Sequence, residues 1–290
     1  MDIFLQIFFA ILTLTALYAL VTVGFTLIYS VTKVLHVAHG VVTLLGAYIF
    51  LTLVNAAVPA PAAAAAAWAC CGMSGWLMNA TVFERLRRRG RVSPVGALIA
   101  SVALLVMGSN LLQLAFGPQT RTLAGFSPAL RFRVGGAIIN AVELGTILTT
   151  AAVVVTLGLL MKFSRIGQAL RAVADNATVA EVVGINARRM RNFAFSLGSS
   201  MAGIAGVLFA LRFGLEPNQS VLIGLRGFFR AVIGGVGSSP GAIVGNIIIE
   251  TAENVGAFYF NSAFKEIFSF LAIFGFLIFR PQGLFGPRTR

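Results

Sequence analysis

The chain has 290 residues, of which 58% are hydrophobic and only 11% are charged. Soluble domains carry about a quarter charged residues, so this composition leaves no room for a separate soluble domain and indicates a polytopic membrane protein. The net charge of +13 is placed in loops between apolar runs, which argues against a nucleic-acid partner.

The first apolar run, at residues 4–30, is far longer than the core of a signal peptide, and no Lys or Arg precedes Lys33. We therefore expect it to be retained as the first span. Further apolar runs follow at roughly residues 40–57, 62–82, 95–116, 138–161, 192–212, 222–236, 241–260 and 264–280. At ~20 residues per span, these predict an all-α membrane protein of about eight to ten transmembrane helices. Some of the helices are expected to be broken or re-entrant, and all belong to one transmembrane domain over residues 1–290.

Basic clusters between the apolar runs predict the orientation of the chain. They are Arg85, Arg87, Arg88, Arg89 and Arg91; the segment 162–191; and Arg280, Arg288 and Arg290. The positive-inside rule places such clusters in the cytoplasm. We therefore expect a cytoplasmic C-terminus and an external loop at 117–137, although Arg121, Arg131 and Arg133 weaken the charge bias there. Counting full crossings backwards places the N-terminus outside.

Two apolar runs are interrupted by glycine, at Val31–Gly46 and at Gly234–Gly245, and the second interruption also contains Pro240. Backbone groups freed at such breaks must be buried in protein or face a water-filled cavity. Paired interruptions in the two halves of a transporter indicate inverted repeats around a central pathway. Two tight turns between ordinary helices explain the same pattern equally well, and the sequence leaves both readings open.

Polar and ionisable residues inside the apolar runs are the candidates for the transport pathway, because such groups cost a few kcal/mol at mid-bilayer. They are His36, His39, Arg226, Arg230, Asn246, Glu250 and Glu253. Arg230 and Glu250 flank the second break, so an antiparallel pairing would bring them together. We favour a compensating ion pair, and the alternative is that they contact a polar group of the substrate. Two histidines are too few for a metal site, and we expect both to cap the broken helix.

The segment 162–191 is charged but compatible with a helix. Small residues recur at helical spacing at Ala169, Ala172, Val173, Asn176, Ala180 and Val183, with Arg171, Asp175, Thr178 and Glu181 on the other faces. Gly167 and Gly184 are the expected ends of this helix. The pattern predicts a docking surface for a cytoplasmic partner. An amphipathic helix on anionic lipid is the less favoured alternative, because no Trp or large aromatic residue lies between Gly167 and Asn186.

Four motifs carry a family resemblance over essentially the whole chain. They are TLIYSVTKVLHVAHGVVTLLGAY, FSRIGQALRAVADNATVAEVVGIN, AVIGGVGSSPGAIVG and FRPQGLFG, in this order. Together they resemble the permeases of branched-chain amino acid ABC importers, in particular the H-type permease subunit of the high-affinity leucine system. Three positions depart from the family pattern: His36 stands for a usual Asn, Arg230 for a small residue and Glu250 for Gly. These departures leave the substrate class open.

The resemblance implies a multi-pass protein of the bacterial inner membrane with the ABC importer permease fold, which is not itself an enzyme. It implies as partners a second permease, in this family usually a non-identical one, two cytoplasmic ATPases that bind the ATP, and a periplasmic binding protein. It further implies that the coupling helix comprises Gly167, Ala169, Arg171, Ala172, Asp175, Asn176, Ala180, Glu181 and Gly184. The sequence contains no phosphate-binding loop, no catalytic constellation and no metal-ligand spacing, so this chain needs no cofactor of its own.

Three other functions compete with import of hydrophobic amino acids. Permeases similar to this family also serve urea, amides or aromatic acids. An ion-coupled secondary transporter would use His39, Glu250 and Glu253 as a relay, but it leaves the segment 162–191 unexplained. A channel or a membrane scaffold would need no ATPase partner, and it makes the polar breaks harder to explain.

Overall fold

The computed structural model describes residues 2–88, 93–123, 130–280 and 282–285, and its backbone there is mainly α-helical. The helices are α1 Asp2–Thr32, α2 His39–Asn55, α3 Ala60–Met78, α4 Glu84–Arg88, α5 Pro94–Phe116, α6 Ala141–Phe163, α7 Arg165–Asp175, α8 Ala177–Val182, α9 Ala187–Arg212, α10 Gln219–Gly234, α11 Ser239–Tyr259 and α12 Lys265–Phe279. The predicted all-α, polytopic class is confirmed.

Within these described ranges, four helices are long and apolar enough to cross a membrane, namely α1, α5, α6 and α9. Helices α10 and α11 meet the same criterion only as a pair, and they are bent by 111° at the break between them. This pair is either a broken span or a re-entrant hairpin, as expected for the second glycine interruption. Helix α2 is a shorter apolar helix of 17 residues.

Helix α3 continues through a π-helical segment, Asn79–Phe83, into α4. Just beyond this segment, the buried carboxylate of Glu84 accepts a hydrogen bond from Arg191 at 2.6 Å. Arg87 donates a hydrogen bond to the carbonyl of Thr32 at the end of α1. The first two basic clusters therefore lie at the same end of the bundle. Arg89, Arg91, Arg288 and Arg290 lie outside the described residues.

Helix α9 lies at the centre of the bundle and packs against α1, α2 and α3. Small residues allow these close approaches. A Cβ atom at Gly198 would press on the carbonyl of Gly24 in α1, and one at Gly206 would press on the carbonyl of Thr43 in α2. The spacing of these glycines by multiples of four predicts such a contact ridge, and the structure confirms it.

A short β-hairpin precedes α6 and was not predicted. Strands β1 (Arg131–Val134) and β2 (Ala137–Asn140) pair antiparallel, with Val134 opposite Ala137. Gly135 and Gly136 form the turn with φ of 56° and 94°, and positive φ at both central positions is what a two-residue hairpin of type I′ requires. The Gly-Gly pair was the available signal, but the surrounding arginines and the apolar composition of the chain obscured it.

Candidate functional site

The two glycine interruptions lie close together at one end of the bundle. Helix α1 ends at Thr32, and Lys33 follows with a φ of 56°. At the second break, Gly235 and Gly237 have φ of 97° and 102°, a conformation open to glycine at no steric cost. Gly237 lies next to Ser30 of α1. Both interruptions are therefore real breaks in helix, and they adjoin one another and the basic end of the bundle.

Residues near the C-terminus complete the second break. The backbone N–H groups of Leu284 and Phe285 donate to the carbonyls of Ile233 and Gly234, at 2.9 and 3.1 Å. Carbonyls at a helix end have no partner within their own helix, and in a membrane they need one from elsewhere. The motif that contains Leu284 therefore supplies hydrogen-bond donors to the end of α10. The sequence pattern does not predict this contact.

An ionic cluster lies between α10, α11 and α1. Arg230 is fully buried, and its guanidinium lies 2.5 Å from a carboxylate oxygen of Glu250 and 3.7 Å from one of Glu253. The Arg230–Glu250 contact predicted from the sequence is therefore present. The guanidinium carbon also lies 3.9 Å from the ring centroid of Tyr18, close enough for a cation–π interaction. No pattern in the sequence indicates that Tyr18 joins this cluster.

Asn246 lies on the same helix, two turns before Glu253, and joins α11 to α1. Its side-chain carbonyl accepts a hydrogen bond from Thr22 at 3.3 Å, and its amide donates to the carbonyl of Ala242 at 2.6 Å. Asn254 binds the Glu250 carboxylate at 3.3 Å. Polar side chains of α11 thus hold the helix against its neighbours as well as compensating the charge of Arg230.

Arg226 has a more open environment than Arg230, one turn away on α10. Its guanidinium donates to the hydroxyl of Tyr18 at 3.1 Å and pairs with Glu266 of α12 at 3.1 Å. The side chains of Arg226 and Glu266 are 33% and 60% exposed, whereas that of Arg230 is 1% exposed. Tyr18 therefore contacts both a buried arginine that is paired with two carboxylates and a partly exposed arginine.

A cavity of about 210 Å³ adjoins Arg226 and Tyr18. Its wall is otherwise mainly apolar and includes Phe209, Phe213 and Leu222. Tyr18 and Phe209 meet edge to face, with ring centroids 5.4 Å apart. The cavity thus combines one guanidinium, one phenol and the amide of Gln219 with an aromatic and aliphatic surface.

The histidines do not cap the broken helix, so this prediction was wrong. The N-cap of α2 is Ala38, without a side-chain cap. His36 is buried against the rings of Phe83 and Phe195, at 5.8 and 5.0 Å, and these two rings stack on each other. His39 lies beside Gly24 of α1. No ring nitrogen of either has a hydrogen-bond partner within the described residues.

The predicted coupling helix is two helices. Helix α7 begins at Arg165 with Ser164 as N-cap, and α8 begins after Asn176, whose side chain accepts from the N–H groups of Thr178 and Val179. Asn176 is therefore a cap and not part of a continuous face, because a side chain that binds the backbone ahead of it starts a new helix. Gly167 is an interior residue of α7, whereas Gly184, with a φ of 85°, follows α8 as predicted.

The small-residue face of this segment is also placed differently from the prediction. Val173 and Ala180 are buried with Leu170 against α1 and α9, in contact with Val31 and Ala194. Ala169 and Ala172 are half-buried. These residues attach the segment to the bundle, because burying them there removes apolar area from water. They are not the displayed surface.

The surface that α7 and α8 do display mixes charge with valine. Arg171, Asp175 and Glu181 are exposed, as predicted. Val179, Val182 and Val183 are 58%, 83% and 70% exposed. We call this set, Arg171, Asp175, Val179, Glu181, Val182 and Val183, the coupling surface. Clustered exposed valines beside charges are typical of an interaction site.

No group of three or more His, Cys, Asp or Glu side chains that could hold a metal ion occurs in the described part of the chain. The candidate functional features are the three described above: the ionic cluster, the cavity beside it and the coupling surface.

Curated relatives match nearly the whole chain. The permease protein BraD of the high-affinity branched-chain amino acid transport system of Pseudomonas aeruginosa is 29% identical, over 95% of this chain and 93% of BraD. LivH of the same type of system in Escherichia coli is 28% identical, over 98% of this chain and 96% of LivH. LivM, another permease protein of that system in Escherichia coli, is 25% identical, over 97% of this chain and 70% of LivM.

The fold also occurs in a solved structure. PsaBC from Streptococcus pneumoniae, in complex with Fab, has a TM-score of 0.52 and 13% identity, over 96% of this chain and 91% of that chain. The family described as branched-chain amino acid transport system permease component matches residues 7–277. This match spans the first helix, both glycine breaks, the ionic cluster and the segment α7–α8, and the chain therefore belongs to that family of membrane permeases.

Proposed function

We propose that this chain is a permease subunit of a bacterial ABC importer that moves hydrophobic, branched-chain amino acids across the inner membrane. The observation that carries the proposal is the family match over residues 7–277, together with relatives that are named permeases of high-affinity branched-chain amino acid systems. The chain is not an enzyme in this proposal. ATP is bound and hydrolysed by separate ATPase subunits.

The proposed partners are a second permease, two cytoplasmic ATPases and a periplasmic binding protein. The likeness of the chain to both LivH and LivM supports pairing with a non-identical permease of the same family. A second permease would also keep lipid away from the side of the bundle that bears the partly exposed Arg226, a charge that would be costly to expose to lipid.

The coupling surface is the proposed contact for the ATPases. It lies at the end of the bundle that bears Arg87 and Arg191, which the positive-inside rule assigns to the cytoplasm. The attachment of Val173 and Ala180 to α1 and α9 would transmit an ATPase movement directly to the central helices. The same reasoning gives a cytoplasmic C-terminus, because Leu284 binds α10 at this end.

The experiment that tests the proposal is ATPase activity and leucine uptake in proteoliposomes. They would contain this chain, the permease and ATPases encoded beside it, and its binding protein. Leucine-loaded binding protein is expected to stimulate both activities, and Arg171→Glu combined with Glu181→Arg is expected to abolish the stimulation. Uptake by this chain alone, without ATP, would refute the proposal in favour of an ion-coupled transporter. Stimulation by urea or an aromatic acid, but not by leucine, would change the substrate class.

A further inference from the structure

The cavity beside Arg226 contains a partly exposed charge at a depth where contact with lipid would be costly. Tyr18, which accepts a hydrogen bond from Arg226 at 3.1 Å, lies about midway along α1, a helix of 31 residues. The Arg226 side chain is 33% exposed at that depth. A guanidinium facing lipid near mid-bilayer costs at least a few kcal/mol. This face of α10 must therefore face the pathway or a second subunit and not lipid.

Arg226 differs from Arg230 in having a displaceable anion. Arg230 is sealed from solvent and already touches the carboxylates of Glu250 and Glu253. The counter-ion of Arg226 is Glu266, whose side chain is 60% exposed and lies at 3.1 Å. An exposed ion pair of this kind contributes little free energy. A carboxylate that arrives in the cavity can therefore replace Glu266 or share the guanidinium with it, since a guanidinium offers five N–H donors.

The remaining wall of the cavity is suited to an apolar side chain. Phe209 of α9, Phe213 just after that helix, and Leu222 and Ile223 of α10 line it, and Gln219 is the one further polar residue in the lining. Its volume of about 210 Å³ is smaller than the roughly 300–1,000 Å³ of pockets for drug-sized ligands, and so it suits a solute of amino-acid size. An anionic group and an apolar group held side by side are what a hydrophobic amino acid presents.

We propose that this cavity is a binding site for the transported amino acid within the permease, in which Arg226 binds the α-carboxylate and Phe209, Phe213 and Leu222 contact the apolar side chain. This inference rests on the proposed function and adds a point of recognition in the membrane to the selectivity of the binding protein. Tyr18 positions the guanidinium, because its hydroxyl accepts one of the N–H groups of Arg226.

The test is protection of an introduced cysteine from alkylation. Leu222→Cys would be made with Cys70→Ala, since Cys70 is exposed and would also react. The full-length chain, copurified with its co-expressed subunits, would be treated with N-ethylmaleimide in the presence of L-leucine or of L-leucinamide, which lacks the carboxylate. L-leucine is expected to slow alkylation, and L-leucinamide is not. Equal protection by both compounds, or protection by neither, would overturn the site.

Three further variants separate binding from folding. Arg226→Gln is expected to weaken protection by leucine roughly tenfold or more, since it removes a charge-assisted hydrogen bond, while Arg131→Gln on the exposed β-hairpin leaves it unchanged. Glu266→Gln removes the competing carboxylate and is expected to strengthen protection severalfold. A purely structural ion pair predicts the opposite, weaker protection in Glu266→Gln, and this result would refute the proposal.

Leucine uptake measured on the same preparations distinguishes failure of the proposed binding site from failure of the proposed function. Normal ATP-dependent leucine uptake by Arg226→Gln would overturn the binding site and leave the permease function intact. Absence of leucine uptake by the unmodified complex would remove the basis of both.

Discussion

Replacement of Arg230 is the perturbation whose effect the structure defines most sharply. Arg230→Met would leave two buried carboxylates, Glu250 and Glu253, without the cation that lies 2.5 and 3.7 Å from them. Breaking a buried pair by removing one partner costs about 3–5 kcal/mol, because the other charge stays buried and uncompensated. Glu250→Gln is expected to cost less, about 1–3 kcal/mol, since Arg230 keeps Glu253 and the ring of Tyr18.

The double variant tests the reasoning directly. Arg230→Met with Glu250→Gln removes one of the two stranded carboxylates. The double variant is therefore expected to lose less stability than the sum of the losses of the two single variants. The difference is expected to be at least about 1 kcal/mol, within the range found for residues in contact. Arg226→Met, whose partner Glu266 is 60% exposed, is the matched control and is expected to cost under about 1 kcal/mol.

The assay is equilibrium unfolding in mixed micelles with increasing SDS, followed by the fluorescence of Trp68 and Trp76. If the losses of the two single variants sum to that of the double variant within about 0.5 kcal/mol, the tolerance for independent sites, then Arg230 and Glu250 are not coupled. A loss for Glu250→Gln as large as that for Arg230→Met would refute the role assigned to Glu253 as the second partner.

Three other predictions follow from features at separate places in the fold. Gly206→Ala is expected to destabilise the protein by about 1–3 kcal/mol through overpacking, because its Cβ would press on the backbone of α2, whereas Gly158→Ala, with open space around it, is expected to be neutral or stabilising in the same unfolding assay. Val182→Glu, at an 83% exposed position, is expected to reduce copurification of the ATPases severalfold through loss of an apolar contact, and an equal effect of the exposed Gln168→Glu would contradict a specific contact. Leu284→Pro removes the N–H that binds the end of α10 at 2.9 Å and is expected to cost about 0.5–1.5 kcal/mol; unchanged stability would show that this bond contributes nothing.

The helical fold and the contact between Arg230 and Glu250 could be predicted from the sequence. Each follows from a requirement of the membrane that holds whatever the tertiary structure is. Apolar runs must form helices in a membrane, since their backbone groups have no other partners. Arg230 and Glu250 were expected to meet because buried charges need partners and the break between them reverses the chain. Small residues at intervals of four indicated the close packing of α9.

The features that could not be predicted depend on contacts between residues that are distant in the sequence, or on competition between local signals. Tyr18 reaches Arg226 across 208 positions, and nothing in the pattern around it distinguishes it from other aromatic residues in α1. The end of α7 was missed because the alanine spacing continues through Asn176, although Asn before Thr178 is also a helix-start signal. The histidines were misplaced because the aromatic rings that surround His36 come from two other helices.

The contact between Leu284 and α10 has a consequence for the order of synthesis. The carbonyls of Ile233 and Gly234 enter the membrane well before the residues that bind them have left the ribosome. Until then these carbonyls, which have no partner within their own helix, lack the bonds seen in the finished chain, so the bent pair is completed only at the end of synthesis. A chain that stops before residue 284 would therefore leave both carbonyls at the end of α10 without these partners.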